Sequence, residues 1–176
     1  MPILVKKIWE GVRLEGLNYG LPEAFLELGE GIEYSSSMEL LREFLKVESR
    51  WVCIRGTGST QVGFGSLVKG FGTINLNVEL ECDGSVRNPG WLNSVDRWVV
   101  DFSEEPLFDY YALRTADMLR FTIRNEKDLE TAKRVFGSLK LFPGTKYLKM
   151  LAPVPGAEEL VRKYDRTRIY YEGKQH

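Results

Sequence analysis

The residues with chemistry to offer are few, and they gather near the ends of apolar runs. Glu79, Glu81 and Asp83 recur at every second position, the spacing that sets side chains on one face of a strand. Carboxylates so placed can share acid–base work or hold a divalent ion, and two held close raise one another's pKa. In a barrel interior Glu81 would lie at the mouth beside Glu15, making Glu15, Glu81 and Asp83 one candidate ligand-binding group. Surface alternation explains Glu79 and Glu81 equally well if that face meets water. Gly56-Thr57-Gly58-Ser59, followed by Thr60, Gly63 and Gly65, can turn backbone N–H groups toward a phosphate or ribose. It has neither the Gly-Lys-Ser/Thr of a P-loop nor a Gly-x-Gly-x-x-Gly, and a plain strand-to-helix turn is the alternative.

The missing residue types narrow the field further. The chain has two cysteines and one histidine. Cys53 and Cys82 fall in apolar strand-like runs, where buried reduced thiols are expected, and two thiols cannot make a four-ligand site. His176 is the last residue, which removes imidazole from Ser-His and Cys-His nucleophiles and from a zinc site. No catalytic residue, metal or cofactor is therefore assigned.

A net charge of −1 and a pI near 6.0 argue against a nucleic-acid surface built on bulk positive charge. Arg162, Lys163, Arg166 and Arg168, interleaved with Tyr164, Tyr170 and Tyr171, could touch RNA or simply be solvated. The opening MPILVKKIWEG is too short an apolar run for a secretory signal, and no stretch of about 20 apolar residues follows. A cytoplasmic protein with no membrane contact is expected. At 176 residues it reads as a single domain, 1–176, with a polar tail from about 165.

The elements that must position these groups alternate. Residues 3 to 13 suggest an edge strand or hairpin arm, and Gly16 to Pro22 a turn. Glu23 to Gly29 is a core strand with Ala24, Leu26 and Leu28 in phase. Ser36 and Glu39 are spaced as a capping box, which predicts a helix from about 37 to 48. Trp51 to Ile54 is a strand, Thr60 to Gly70 a glycine-weakened helix, and Thr73 to Cys82 the clearest strand of all. Arg97 to Phe102 and Met118 to Ile123 are strands, with a helix starting at Pro106 between them. Asn125 caps a helix to about Leu139; Lys146 to Leu151 is the last strand and Ala157 to Tyr164 the last helix. Strand–helix spacing of this kind predicts an α/β fold, a partial (β/α) barrel of about six mainly parallel strands, with sites at the carboxyl ends of the strands.

With those strand ends in view, the chain resembles the 7-carboxy-7-deazaguanine synthase family of radical S-adenosylmethionine enzymes, which act in making queuosine and archaeosine. The likeness runs in order along nearly the whole chain. Leu14-Glu15-Gly16, Gly20-Leu21-Pro22 and Phe25-Leu26-Glu27-Leu28 stand where the family has its Gly-Glu-Gly turn, Gly-x-Pro and Phe-Ile-Arg-Leu strand. Glu81-Cys82-Asp83-Gly84-Ser85 stands for Glu-Thr-Asn-Gly-Thr, and Val95-Asp96 with Trp98-Val99-Val100 for a Val-Asp and Val-Val strand. Arg120-Phe121-Thr122-Ile123 and Asp128-Leu129-Glu130 look like Lys-Phe-Val-Val and Asp-Leu-Glu.

The departures from the family carry the functional expectation. Its members follow the first strand with three cysteines that hold a four-iron cluster, whereas Gly29 to Trp51 contains none. The Gly-Gly-Glu-Pro cofactor loop is Gly56-Thr57-Gly58-Ser59, and the substrate-binding arginine is Glu27. The resemblance thus implies a degenerate member without radical chemistry, serving as a binding or partner subunit in deazapurine or tRNA-modification metabolism, alone as a homo-oligomer or with another protein. Two other readings stay open: an enzyme of another class using Glu15, Glu81 and Asp83, and a nucleotide or S-adenosylmethionine sensor using Gly56 to Ser59.

Overall fold

A computed structural model describes residues 2–13, 20–56, 63–83, 90–102, 115–139 and 142–172. Contacts divide the chain into two units, Met1–Cys82 with Val86–Trp98, and Asp83–Ser85 with Val99–His176.

In the first unit, β1 (Ile3–Val12) and β2 (Pro22–Tyr34) form an antiparallel hairpin, and β2, β3 (Trp51–Gly56) and β4 (Asn77–Cys82) run parallel. Two helices make the crossovers, α1 (Ser37–Phe44) and α2 (Phe64–Thr73). One sheet face is apolar: Ala24, Leu26, Leu28, Val52, Ile54, Val78 and Leu80 are buried there in strict alternation. Buried α1 and α2 residues add Leu40, Leu41, Phe44, Leu67 and Phe71, with Phe44 edge-on to Phe71 at 4.9 Å. Full burial of each such side chain contributes about 1.5–3 kcal/mol. The opposite sheet face carries Glu23, Phe25, Cys53, Glu79 and Glu81, all buried.

The α1 start follows from its sequence. Ser36 Oγ accepts the Glu39 backbone N–H at 3.2 Å, as the capping spacing requires. The Glu39 carboxylate reaches one residue further back than in a capping box, to the Ser35 N–H at 2.8 Å.

In the second unit, the body of β5 (Arg97–Phe102), β6 (Met118–Ile123), β7 (Thr145–Met150) and β8 (Thr167–Tyr171) pair in parallel. The helix α3 (Glu126–Ser138) joins β6 to β7, and α4 (Ala157–Lys163) joins β7 to β8. Phe102 stacks on Phe121 at 4.2 Å, and Phe136 meets both Phe121 and Tyr164 edge-on, which seats α3 on this sheet.

Eight strands stand among the described residues rather than about six. The stretch expected as a polar tail supplies one of them, because Thr167–Tyr171 pairs along β7 from Lys146 to Met150. The hairpin supplies another. The strand expected from Thr73 begins at Asn77: α2 runs through Thr73, and Asn75 turns the chain at φ 60°. The helix expected from Pro106 lies outside the described residues. Among those residues, no helix is long and apolar enough to cross a membrane.

Candidate functional site

On the polar face of the first unit, Arg13 follows the last residue of β1 and is 3% exposed. Backbone bonds fix it there, since its N–H donates to Leu21 O at 2.9 Å and its carbonyl accepts from Gly20 N–H at 2.8 Å. Its guanidinium gathers carboxylates from two strands and a thiol from a third. Nη2 donates to Glu79 Oε1 at 2.8 Å and to Glu81 Oε1, both on β4. Nη1 donates to Cys53 Sγ on β3 at 3.2 Å and stands 3.6 Å from Glu23 Oε2 on β2.

Three buried carboxylates around one guanidinium leave an excess of acid, and the pKa shifts reflect it. Burial pushes Glu79 up to about 7; Arg13 and Arg97 draw it back in part, while Glu81 and Glu23 push the same way as burial. Burial opposes the charge on Arg13, but the neighbouring acids, Glu81 foremost, outweigh it and hold the guanidinium charged. The Cys53 thiol lies well above the ordinary cysteine value, burial being the main cause, and so stays an unreactive thiol.

Cys53, Glu79 and Glu81 each offer a ligand atom within 4.8 Å of the others, the grouping a metal would need. Arg13 donates to all three, so the protein's own cation occupies the place a metal ion would take. Neither glutamate faces water, contrary to the surface-alternation alternative: Glu79 is 0% and Glu81 4% exposed.

Beside this cluster lies an aromatic and cationic surface. Trp9 of β1 stacks on Phe25 of β2 at 5.0 Å with an interplanar angle of 10°, and the Arg55 guanidinium lies 4.7 Å from the Trp9 centroid. Lys6 binds Glu27 at 2.8 Å; that hydrogen bond outweighs a smaller burial effect and holds the Glu27 carboxyl below its ordinary value. Glu27 is therefore paired within the chain rather than turned to a ligand.

Of the residues singled out from the sequence, Glu15, Thr57, Gly58 and Ser59 lie outside the described residues. Gly56 ends β3, Glu81 joins the Arg13 cluster, and Asp83 is exposed just beyond β4. Gly56 has φ 100°, and a Cβ there would come 2.2 Å from Leu28 O on β2. Gly56→Ala should therefore lower stability by about 2 kcal/mol or more, read as a drop in the urea midpoint with an unchanged m value.

Arg13, Glu23, Trp9 and Arg55 were not among the sequence candidates. Arg13 and Glu79 are 66 positions apart, and only the hairpin register and the parallel order of β2, β3 and β4 bring them together. The available signal was phase: Trp9, Gly11 and Arg13 alternate, and Trp9 and Gly11 pair with Phe25 and Glu23.

The iron–sulfur cluster that the resemblance brings to mind can be tested against the donors present. The chain's two cysteines lie on opposite faces of the sheet, Cys53 on the polar face and Cys82 with Val78 and Leu80 on the apolar one. Each sulfur accepts a hydrogen bond, Cys53 from Arg13 and Cys82 from Trp98 Nε1 at 3.0 Å. The residues after β2 are a capped helix without a thiol. These donors do not fit a cysteine-held cluster.

No family model and no curated protein matches the chain. Among solved structures it is similar to QueE from Escherichia coli, with a TM-score of 0.72 and 15% sequence identity, over 96% of this chain and 94% of that one. At this identity the likeness is one of fold: the chain has an α/β fold like that of QueE.

Proposed function

We propose that the chain is a cluster-free relative of the 7-carboxy-7-deazaguanine synthases, built on a partial (β/α) barrel, that acts in the cytoplasm as a binding or partner subunit in deazapurine or tRNA-modification metabolism. The placement of the two cysteines carries this reading. A cluster that cleaves S-adenosylmethionine needs three thiolates converging on one point, and this chain has two thiols on opposite sides of a sheet. The acid cluster supports it as well, because Glu79 and Glu81 are bonded to Arg13 rather than presented to a substrate.

Anaerobic reconstitution with ferrous iron and sulfide tests the proposal directly. The expected product holds iron far below one atom per chain, shows no visible charge-transfer band and forms no 5′-deoxyadenosine from S-adenosylmethionine and dithionite. Stoichiometric iron with the band would overturn it. The binding role is read by thermal shift with S-adenosylmethionine, pterins and nucleotides, since a ligand of the folded state raises Tm by mass action. Co-purification from the native source reads the partner role, and failure of both would remove the positive half of the proposal.

A further inference from the structure

A polar concavity lies in the first unit, at the opposite end of the strands from Gly56 and Glu81. It is a cleft of about 680 Å³ at the amino ends of β3 and β4, lined in part by Arg50, Lys69, Asn75, Asn77, Asn93 and Asp96. That volume is in the range of small-molecule sites, although its lining is more polar than usual. At about 3.3 Å per residue along β4, the cleft is about 17 Å from the carboxyl end of that strand.

Its framework is fixed by backbone bonds. Asn77 N–H donates to Arg50 O at 2.9 Å, Asp96 N–H donates to Val78 O at 2.9 Å, and Asp96 Oδ2 accepts the Val78 N–H at 2.8 Å. Asn75 holds φ 60°, one of two positive values at non-glycine residues among those described. Apart from Asp96, the charged and amide side chains around this framework are uncommitted. Among the described residues, Arg50 and Lys69 form no ion pair, and the amides of Asn75, Asn77 and Asn93 make no side-chain hydrogen bond. Two exposed cations, Arg50 and Lys69, therefore line a cleft that also holds one carboxylate and three amides.

We infer that this cleft binds a small hydroxylated oxyanion, with Arg50 and Lys69 taking the phosphate or carboxylate and the asparagine amides and Asp96 taking hydroxyls. Guanidinium supplies paired donors to the oxyanion and ammonium a point charge, while amides and a carboxylate match hydroxyls in both directions. A ligand at the amino ends of the strands would act apart from the polar sheet face. The site is thus independent of the function proposed above.

The experiment is calorimetric titration of the full chain with inorganic phosphate, ribose 5-phosphate and citrate at matched ionic strength. Saturable binding is expected, weakened at least tenfold in Arg50→Ala and in Lys69→Ala. Arg42→Ala, an exposed change on α1, should leave it unaltered. Preference for ribose 5-phosphate assigns the phosphate source, and preference for citrate the carboxylate source. The inference fails if no probe saturates, if Arg50→Ala and Lys69→Ala bind as the parent does, or if Arg42→Ala loses as much as they do.

Discussion

Arg13→Met should cost about 3–5 kcal/mol of folding stability at pH 7.5, because it leaves three buried carboxylates on two strands without their cation. For a chain of this size that is a fall in Tm of about 10 °C. Methionine keeps most of the apolar volume that the arginine stem fills, so the loss is electrostatic rather than a cavity. Two further results identify the cause. Adding Glu79→Gln and Glu81→Gln to Arg13→Met should recover at least half of the stability, since the uncompensated charge goes with them. The cost should also shrink at pH 5, below the pKa of about 7 at which Glu79 takes up its proton. A Tm within 2 °C of the parent would show that the cluster does not depend on its arginine.

Glu79 supplies the second large effect, and its sign is opposite to that of an ordinary salt-bridged acid. Its folded pKa is raised to about 7, chiefly by burial, so folding favours its protonated form. The stability it supports is fully present below the unfolded value near 4.5 and is lost as pH rises through about 7. The full span is worth about 3 kcal/mol at most, at 1.36 kcal/mol per pKa unit. Glu79→Gln keeps a hydrogen-bonding partner for Arg13 and cannot ionise. The difference in unfolding free energy between variant and parent should therefore grow in the variant's favour from pH 4.5 to pH 7.5 and level off above. Urea titrations across that range measure it, and a flat difference would mean that Glu79 is ionised throughout.

The sequence made much of the framework legible because local rules set it. Ser36 caps a helix where its spacing to Glu39 implied, and Asn125 caps the one expected after it, each accepting the backbone N–H three residues on. The alternation of Val78, Leu80 and Cys82 marked β4 and its buried face. Other features depended on partners far away. Thr73 to Asn75 keep the alternation of the strand that follows, yet the chain is still leaving α2 there and turns at Asn75. β8 went unread because four of its five residues are only half-buried and Arg168 is exposed, which weakens the periodic signal of TRIYY. The site itself was half legible: Glu79 and Glu81 announced a shared face, but nothing local says that an arginine just past β1 neutralises them.

The length of β2 sets a limit on what could be built back into this chain. β3 pairs with it only from Ala24 to Leu28, yet β2 continues to Tyr34, and Ile32 to Tyr34 pair with Ile3 to Val5 of β1 as a two-stranded ribbon. Gly31 fits that ribbon because a Cβ there would lie 2.3 Å from Val5 O. Only Ser35 and the capping Ser36 separate Tyr34 from α1. The chain between the strand body and the helix is thus already spent on main-chain pairing and leaves no slack for a ligand-bearing loop. Three cysteine substitutions in this segment would sit on a zipped ladder and a helix cap; giving them freedom to converge would require inserted residues or the loss of the β1 ribbon.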